Sequence, residues 1–306
     1  MNGVLVIDKP AGMTSFDVVR RVRRMVKTRR VGHAGTLDPM ATGVLPVAVG
    51  TATRLIEYLM AGDKTYRATL KLGSVTDTQD STGEILEEKA WQSVDRPAIE
   101  AAMEHFLGET EQLPPMYSAL KKDGQPLYKL ARQGIEVERE PRRVVVRSLL
   151  VDEFSAPYLT FTLNCSKGTY VRTLCHDLGQ VLGCGAHMTE LRRLKCGRFD
   201  LEASYPLEVL QDLFEQDRPL PLLPLAEILD DWPVLTVAGV ILERLQNGVA
   251  PCLAELSGEE PAAGAKVRLL AGKTLVAIAR YTPEGHGKRP GDFELLKVFP
   301  VHDDQG

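Results

Sequence analysis

The sequence predicts an α+β protein with a mixed sheet and a small β-rich domain at its C-terminal end. Segments typical of strands outnumber those typical of helices, and the two kinds do not alternate regularly, which favours a mixed sheet over a doubly wound fold. An acidic, proline-rich stretch between residues 205 and 235 indicates a domain boundary. The 306 residues are enough for one large core and a smaller one. We therefore expect one domain at 1–232 and a second at 233–306.

The first strand and the first helix are predicted close to the N-terminus. The run GVLVIDKP is typical of a short strand that ends at Lys9. In the following segment, TSFDVVRRVRRMVKTRR, Thr14 and Asp17 have the spacing of a capping box. Apolar residues then recur at helical spacing, which places the arginines on the opposite face as a basic ridge beside the loop GHAGTLDP. The apolar stripe consists of Val18, Val22, Met25 and Val26.

Further strands and helices are predicted from alternation, turn residues and length. In TYRATLKL, apolar and polar residues alternate, so that Tyr66 shares the apolar face of a strand. A turn-rich connection follows it, and then a polar helix over residues 96–107. The remaining predictions are strands in RRVVVRSLLVDEF and YLTFTLNCSKGTYV, a helix in YVRTLCHDLGQVLG that ends at Gly183, and strands in KVRLLAG, TLVAIARY and LLKVFP.

Charge is distributed unevenly along the chain. The formal net charge is −4, yet residues 9–30 contain eight Lys or Arg and a single acid, Asp17. Residues 202–231 contain eight acids and a single base, Arg218. A partner with a phosphate backbone responds to the local field rather than to the total charge. The basic cluster is therefore compatible with a nucleic-acid contact, and equally with a solvated helix face.

Composition also bears on the compartment. The apolar run at the N-terminus has no basic leader and no cleavage site of a signal peptide. No apolar run is long enough to span a bilayer. Five cysteines without regular spacing do not indicate a disulfide framework. These features predict a cytoplasmic protein that does not enter a membrane.

Several kinds of catalytic site lack their usual motif. The sequence has no phosphate-binding loop, no dinucleotide fingerprint and no serine nucleophile elbow. Zinc is conceivable because cysteines and histidines occur between residues 175 and 196, but their spacing matches no usual ligand set. Cys175 and His176 are adjacent on a predicted helix, and their side chains therefore point apart. The sequence predicts no metal site.

The stretch GHAGTLDPMATGVLPVAVG holds a lone carboxylate, Asp38, among glycines, small residues and aliphatics. An Asp-Pro pair is typical of a helix N-terminus, with the aspartate as cap. Alternatively, a carboxylate among apolar neighbours is a candidate nucleophile or base, provided that a cation keeps it ionised. His33, five residues earlier, is open to interpretation as a base, a stacking group or an ordinary loop residue. The spacing does not decide between these alternatives.

The motif GHAGTLDPMATGVLP resembles the catalytic motif of the TruB family, the bacterial tRNA pseudouridine-55 synthases. The resemblance covers about residues 1 to 200, and it implies the pseudouridine synthase fold, a mixed, mainly antiparallel sheet flanked by helices. The C-terminal segment resembles a PUA-type RNA-binding module. The motifs that follow in the same order are DKTYRATLKLG, TDTQDSTG, PPMYSALKKDGQPLYKLAR, CSKGTYVRTLCHDLG and GCGAHMTELRR.

The resemblance implies three catalytic residues. Asp38 has the position of the catalytic nucleophile, and Arg172 that of the arginine which pairs with it. Tyr66 matches the tyrosine that stacks on the target base and takes part in proton transfer, although without the resemblance a core tyrosine would be the simpler interpretation. His33 matches a residue that fills the space left by the flipped uridine. Asp80 matches a residue near the bound base.

The resemblance also implies a substrate and its contacts. The expected partner is tRNA, bound through its T-arm and recognised by shape. No metal, no organic cofactor and no obligatory protein partner are expected, and the chain is expected to be a monomer. Phosphate contacts are expected from Lys9, Lys64, Lys121, Lys122, Lys129, Arg132, Arg142 and Arg143.

Three other functions remain possible at the level of sequence. The chain could be a non-catalytic protein that binds or folds tRNA on the same scaffold, although binding alone does not require a buried carboxylate. It could be a synthase that depends on a guide or a partner, but it lacks long basic tails. A metal-dependent hydrolase is the most distant alternative, because the ligand set is missing.

Overall fold

A ten-stranded mixed sheet forms the centre of the chain. The computed structural model describes residues 1–283 and 291–300. Along the main path of the sheet the strand order is β14-β1-β3-β12-β4-β11-β10-β7, with β13 paired to β12 and β2 to β3. The strands in the described residues are β1 (Gly3–Lys9), β2 (Val31–His33), β3 (Thr42–Val49), β4 (Lys64–Leu72), β5 (Ser74–Thr76), β6 (Ile85–Glu88), β7 (Gly108–Gln112), β8 (Lys121–Lys122), β9 (Gln125–Pro126), β10 (Arg142–Ser155), β11 (Tyr158–Cys165), β12 (Ala186–Cys196), β13 (Phe199–Asp200), β14 (Tyr205–Pro206), β15 (Val234–Thr236), β16 (Lys266–Ala271), β17 (Thr274–Tyr281) and β18 (Phe293–Val298).

Most neighbouring strands in this sheet are antiparallel. The exceptions are β1 with β14 and β3 with β12, which run parallel. The helices are α1 (Ser15–Val26), α2 (Ile56–Leu59), α3 (Arg96–Glu104), α4 (Leu127–Ala131), α5 (Val171–Val181), α6 (Leu207–Glu215) and α7 (Gly239–Gln246). The expected α+β class with a mainly antiparallel sheet is therefore confirmed.

One face of the sheet is covered by helices. Side chains of α1 and α6, such as Val22 and Leu210, pack against Leu5 and Val47 of β1 and β3. Farther along the sheet, α3 and α5 pack against β4 and β11. Gly43, Arg193 and Tyr66 are register partners on three adjacent strands, and their positions therefore share one face. This row lies between the two groups of helices. The middle of this face of the sheet is therefore not covered by a helix and can be occupied by a loop.

The C-terminal β-rich unit packs on the opposite face. Its four strands have the order β15-β16-β17-β18. Leu275, Ile278 and Phe299 from this unit share one apolar cluster with Val44 and Ala48 of β3. Strand β3 is consequently buried on both faces, which is why its sequence is an almost continuous apolar run rather than an alternating one.

The predicted helix starts and strand faces agree well with the structure. Thr14 and Asp17 form the capping box of α1, in which the Thr14 side chain accepts from the Asp17 amide at 3.0 Å. Strand β4 alternates as expected, with Tyr66 on its buried face. Helix α5 ends just before Gly183, whose φ of +76° suits a glycine after a helix. The helix expected over 96–107 ends earlier, at Glu104.

Other features were not expected. Strands β3 and β12 were not predicted, and the turn-rich connection contains the short hairpin of β5 and β6. No helix follows Asp38, so that the interpretation of this residue as a helix cap is wrong. The expected boundary at 232/233 stays a prediction, and residues 284–290 and 301–306 of the expected second domain lie outside the described residues. Within the described part of the chain, no helix has the length and hydrophobicity needed to cross a membrane.

Candidate active site

Asp38 lies in a loop between β2 and β3 that is held from several sides. The backbone of Leu37, the residue before it, makes two hydrogen bonds with the Ser15 hydroxyl at the start of α1: its amide donates at 2.8 Å and its carbonyl accepts at 3.1 Å. On the other side, the Pro39 carbonyl accepts from the Gly12 amide at 2.8 Å. Leu37 and Ala41 are buried in the apolar cluster that contains Tyr66. The carboxylate is therefore presented on a fixed backbone.

Arg193 holds the same loop through hydrogen bonds to its backbone. This side chain is almost completely buried, and its guanidinium donates to backbone carbonyls on both sides of Asp38. The acceptors are the carbonyl of Val44 at 2.7 Å and, at the other end of the loop, that of Gly35 at 3.1 Å. A side chain at Gly43 would collide with the Arg193 backbone, because an added Cβ would lie 2.2 Å from its carbonyl oxygen. Glycine at that position lets the two strands approach.

Arg172 joins two carboxylates at the centre of the site. Its guanidinium donates a hydrogen bond to the Asp38 carboxylate and lies 3.5 Å from that of Asp80. Arg172 and Asp80 are buried, whereas 31% of the Asp38 side chain is exposed. Of the two carboxylates, that of Asp38 is therefore the more accessible to a ligand. A guanidinium that stays charged is well suited to keep a carboxylate ionised in such surroundings.

Asp80 is positioned by its own loop. One carboxylate oxygen accepts from the Thr82 amide at 2.9 Å and from the Thr78 hydroxyl at 2.9 Å. The loop is tight at Gly83, where a Cβ would lie 2.1 Å from a carboxylate oxygen of Asp77. The other carboxylate oxygen of Asp80 is the one that faces Arg172. This arrangement gives Arg172 a second anionic neighbour that does not depend on Asp38.

Opposing influences act on the pKa of Asp38. Burial raises the pKa of this carboxyl above its usual value of 3.8, and the negative charge of Asp80 acts in the same direction. The positive charge and hydrogen bond of Arg172 lower it, as does Lys9. Burial therefore disfavours the ionised form of Asp38, and the positive charge of Arg172 is what stabilises that form.

Tyr66 lies on β4, on the buried face, with 8% of the residue exposed. Burial raises the pKa of its phenol to about 12, an effect that the neighbouring Arg193 opposes. The phenol is therefore protonated at neutral pH, and it can donate a hydrogen bond or stack as a neutral ring. Tyr66 shares its apolar cluster with Leu37 and Ala41, which flank Asp38. The structure thus brings the ring close to the loop of the carboxylate.

His33 ends β2 and is half-buried. Burial lowers the pKa of its imidazole, and the positive charge of Arg193 adds to this effect. Its Nδ1 is buried and has no hydrogen-bond partner in the described part of the chain. Neither a hydrogen bond nor an ion pair joins His33 to Asp38 among the described residues. The ring is therefore neutral at physiological pH, which suits stacking better than binding of a phosphate.

The positions of Lys9 and Lys64 contradict the prediction that these two lysines contact phosphates. Lys9 is fully buried and donates to the carbonyls of Pro10 at 2.8 Å and Met13 at 2.7 Å. Burial lowers the pKa of Lys9 to about 8. Lys64 is buried as well and donates to a carbonyl at 2.6 Å. Both ammonium groups thus hold the backbone in place, and neither reaches a surface where a phosphate could bind.

The other expected phosphate contacts lie on the surface. Lys121 is on β8, Lys129 on α4 and Arg142 at the start of β10, and all three are exposed. Of their neighbours, Lys122 donates to the Glu138 carbonyl at 2.8 Å. The remaining two, Arg132 and Arg143, are exposed. Their contact with a phosphate stays a prediction.

Sequence reasoning missed three residues that support the site. Ser15 and Arg193 hold the loop of Asp38, and Gln112 holds the residue at the start of α5 that precedes Arg172 by two positions. The Gln112 side chain accepts from the Tyr170 amide at 2.7 Å and donates to its carbonyl at 3.0 Å. For Arg193 a signal existed, because alternation in LRRL places it on the same strand face as the apolar Leu191. No local pattern identifies Ser15 or Gln112.

A metal centre finds no support in the described residues. Within 1–283 and 291–300, no three side chains of His, Cys, Asp or Glu converge as metal ligands. The four cysteines between residues 165 and 196 are buried and unpaired.

Comparisons with known proteins relate this arrangement to characterised families. A family model described as the N-terminal domain of TruB family pseudouridylate synthase matches residues 23–171. A second, described as the C-terminal domain of tRNA pseudouridylate synthase B, matches residues 172–230. The residues of the site fall within both matches, because Asp38, Tyr66 and Asp80 lie in the first and Arg172 in the second.

Curated relatives and solved structures extend the match over nearly the whole chain. The tRNA pseudouridine synthase B of Syntrophotalea carbinolica is 49% identical over 98% of this chain and 98% of its own. That of Geobacter sulfurreducens is 47% identical over 98% of this chain and 100% of its own. A chain in the structure of an H/ACA RNP bound to a substrate RNA containing 2′-deoxyuridine is 26% identical, with a TM-score of 0.74 over 98% of this chain and 86% of that one. A chain of a Cbf5-Nop10-Gar1 complex is 27% identical, with a TM-score of 0.74 over 97% and 84%.

Proposed function

Because the chain belongs to the TruB family of pseudouridylate synthases, we propose that it isomerises a uridine of tRNA to pseudouridine. It is an isomerase, and the substrate we propose is uridine 55 in the T-loop. The observation that carries the proposal is the contact of the accessible Asp38 carboxylate with the buried guanidinium of Arg172. An RNA-binding protein without catalytic activity has no need of a carboxylate that faces a polyanion. Nothing in the comparisons favours that alternative.

The reaction breaks one bond to the ribose and forms another. The bond between C1′ and N1 of uracil breaks, the base rotates, and a bond between C1′ and C5 forms, while the hydrogen of C5 leaves to solvent and N1 gains a proton. Nothing is oxidised and no group is imported, so that the step requires no redox partner. Asp38 acts on the base or on the ribose, by attack at C6, by attack at C1′ or through a glycal. Each route begins with an ionised carboxylate.

Arg172 keeps that carboxylate ionised and orients it. Burial alone would favour protonated Asp38, and the guanidinium opposes this. Asp80 faces the same guanidinium from the other side, and its carboxylate is proposed to accept a hydrogen bond from the imide N–H of a bound uracil. We propose that this contact helps to select uracil.

Tyr66 and His33 are proposed to handle the flipped base. The target uridine must leave its stack to reach Asp38, which costs a few kcal/mol. We propose that the ring of Tyr66 stacks on the inserted base and that its protonated phenol takes part in proton transfer. The neutral imidazole of His33 fills the gap left in the RNA, as the resemblance implies.

The remaining parts of the proposal concern the partners. The exposed cations Lys121, Lys129 and Arg142 are proposed to contact phosphates of the T-arm, and the C-terminal unit is proposed to be a PUA-like RNA-binding domain over 233–306. The protein is proposed to act as a monomer, without a guide RNA or a protein partner. The substrate and the unpaired cysteines are consistent with the cytoplasm as its compartment.

Tritium release from tRNA tests the proposal directly. A tRNA transcript labelled with tritium at C5 of uracil is incubated with the purified full-length chain, because formation of the new bond expels that hydrogen to water. We expect release approaching one tritium per tRNA, and none from a transcript with cytidine in place of uridine 55. Asp38→Asn should bind the tRNA and release none. Tight binding without release by the wild-type protein would contradict the proposal and favour the RNA-binding alternative.

A further inference from the structure

The outer face of α1 carries a row of cations, most of which have no anionic partner in the described part of the chain. Phe16, Arg20 and Arg24 recur at intervals of four residues, so that they lie along one side of the helix, and Lys27 follows directly after the helix end. All four are exposed, and Phe16 exposes 55% of its surface. We name these four residues the α1 ridge. The opposite face of α1 is buried against the sheet.

Most of the positive charge of the ridge is not neutralised by the residues that the structure describes. Among these residues, Arg20 alone in the ridge has an anionic partner, Asp17, which also belongs to the capping box. In residues 1–283 and 291–300, no carboxylate forms an ion pair with Arg24 or Lys27. Arg21, Arg29 and Arg30 beside the ridge are exposed and equally unpaired in that part of the chain. Such a density of cations attracts an anionic partner.

The ridge begins next to the catalytic loop. Ser15 precedes Phe16, and its hydroxyl is bonded to the backbone of Leu37, the neighbour of Asp38. The 12 residues of α1 extend about 18 Å from that point. An RNA strand with one nucleotide inserted at Asp38 can therefore place successive phosphates along the ridge.

Phe16 provides an aromatic ring at the end of the ridge that lies next to the loop of Asp38. The guanidinium of Arg23 lies 5.6 Å from the centre of its ring. The guanidinium of Arg23 is also bonded to the Val31 carbonyl at 3.1 Å, which holds it in place. More than half of Phe16 stays open to solvent. An exposed aromatic ring fixed beside an arginine is suited to stack on an unpaired base.

An acidic neighbour limits the path of a polyanion. Helix α6 packs beside α1 through Leu207 and Leu210. Its outer side carries Glu208, Asp212 and Glu215, which are exposed. Phosphates are repelled from that side, which favours a path of the RNA strand along the ridge. Because the apolar face of α1 is buried against the sheet, this helix cannot insert into a membrane.

We propose that the α1 ridge binds the phosphate backbone of the substrate RNA and that Phe16 stacks on an unpaired base beside the inserted nucleotide. This inference rests on the proposed function for the identity of the RNA. It adds a second basic surface, on the side of the catalytic loop formed by α1, to the cations expected around β8 and α4.

The cations are tested by the salt dependence of tRNA binding. Anisotropy of a labelled tRNA transcript is measured with the full-length chain at several salt concentrations. For the double variant Arg24→Gln/Lys27→Gln we expect about tenfold weaker binding near 0.1 M salt and a log–log slope that is smaller by about 1 to 2. The control is Arg67→Gln/Arg96→Gln, which removes the same charge from two exposed positions elsewhere. An unchanged slope, or a change equal to that of the control, would overturn the proposal and leave the ridge to an acidic protein.

The aromatic part is tested by substitution of the ring. Phe16→Ala should weaken tRNA binding about tenfold and raise KM, whereas Phe16→Trp should retain affinity. Tyr158→Ala is the control, because this residue is exposed to a similar extent on β11. If Phe16→Ala binds tRNA like the wild type, or if Phe16→Trp is as weak as Phe16→Ala, stacking is excluded.

The tRNA-binding experiments, together with tritium release, also distinguish a failure of this proposal from a failure of the proposed function. A wild-type protein that releases tritium while the ridge variants behave like their controls contradicts the ridge alone. A wild-type protein that binds tRNA through the ridge and releases no tritium contradicts the proposed reaction alone. Melting temperatures measured on the same samples exclude loss of fold as the cause of weaker binding.

Discussion

The guanidinium of Arg172 donates a hydrogen bond to the carboxylate of Asp38 across 134 residues of sequence. Arg172 comes from the first turn of α5, and Asp38 from the loop before β3. Because the guanidinium of Arg172 lies beside Asp38, its positive charge lowers the pKa of that carboxyl and opposes the effect of burial. The contact therefore joins the loop before β3 to the start of α5, two segments that are distant in sequence.

The first prediction concerns the shape of the cation at position 172. Arg172→Lys keeps a positive charge but loses the planar group that faces two carboxylates, and we expect single-turnover tritium release to fall roughly 10- to 100-fold. Arg172→Met removes the charge, and its rate should fall by at least another factor of about ten. Rates are measured at saturating tRNA. Equal rates for the lysine variant and the wild type would show that orientation by the guanidinium is unimportant.

The second prediction is a shift of the acidic limb of the pH–rate profile. Burial raises the pKa of Asp38, and the ionised form is the reactive one, so that activity is lost as the pH falls through a value above 3.8. The charge of Asp80 contributes to that rise. In Asp80→Asn the acidic limb should consequently move to lower pH, whatever the loss in maximal rate. The profile is measured in single turnover, and a limb that moves upward would contradict this assignment of the neighbouring charges.

The third prediction separates stability from activity. A carboxyl whose pKa is raised in the folded chain is stabilising when protonated, and the penalty for its ionised form develops as the pH rises from its unfolded value of 3.8 to the folded one. The penalty is present wherever the pH exceeds the pKa of Asp38 in the folded chain. We therefore expect Asp38→Asn to have a Tm at least as high as that of the wild type, although it is inactive. A clearly lower Tm at pH 7 would mean that the ion pair with Arg172 outweighs burial.

The fourth prediction concerns the buried Arg193. Arg193→Met leaves carbonyls on both sides of Asp38 without a donor, and we expect the free energy of unfolding to fall by about 2–4 kcal/mol. Arg192→Met is the matched control, since Arg192 is half exposed and should cost much less. Denaturant unfolding gives these values. Arg193→Lys should restore part of the stability and of the single-turnover rate, because it can still donate to one carbonyl; a rate equal to that of the methionine variant would reduce Arg193 to a purely structural element.

Local features of the fold could be predicted because their causes are local. The capping box of Thr14 and Asp17 and the alternation around Tyr66 need only neighbouring residues. Strand β3 could not be predicted in this way, since its continuous apolar run reflects burial on both faces by elements distant in sequence. The same reason explains why Lys9 was mistaken for a surface cation. The carbonyls that accept from Lys9 belong to the turn after β1 and to the loop that contains Asp38.

The site itself could be predicted only in part. The resemblance indicated Asp38, Tyr66 and Arg172, and the structure brings Asp38 and Arg172 into contact, while their catalytic roles stay predictions. The supporting residues were not foreseen, because Ser15 and Gln112 act through side chain to backbone bonds that leave no periodic signal. Asp80 was expected near the base, and the structure adds its contact with Arg172.

The apolar cluster shared by β3 and the C-terminal strands has a consequence for the thermodynamics of the whole chain. Leu275, Ile278 and Phe299 cannot leave the sheet without exposing its apolar face to water. We therefore expect calorimetry to record a single cooperative transition for the full chain rather than one for each domain. Truncation at the expected boundary would then remove more than an RNA contact, and a weakened C-terminal unit would lower the amount of active enzyme without touching Asp38.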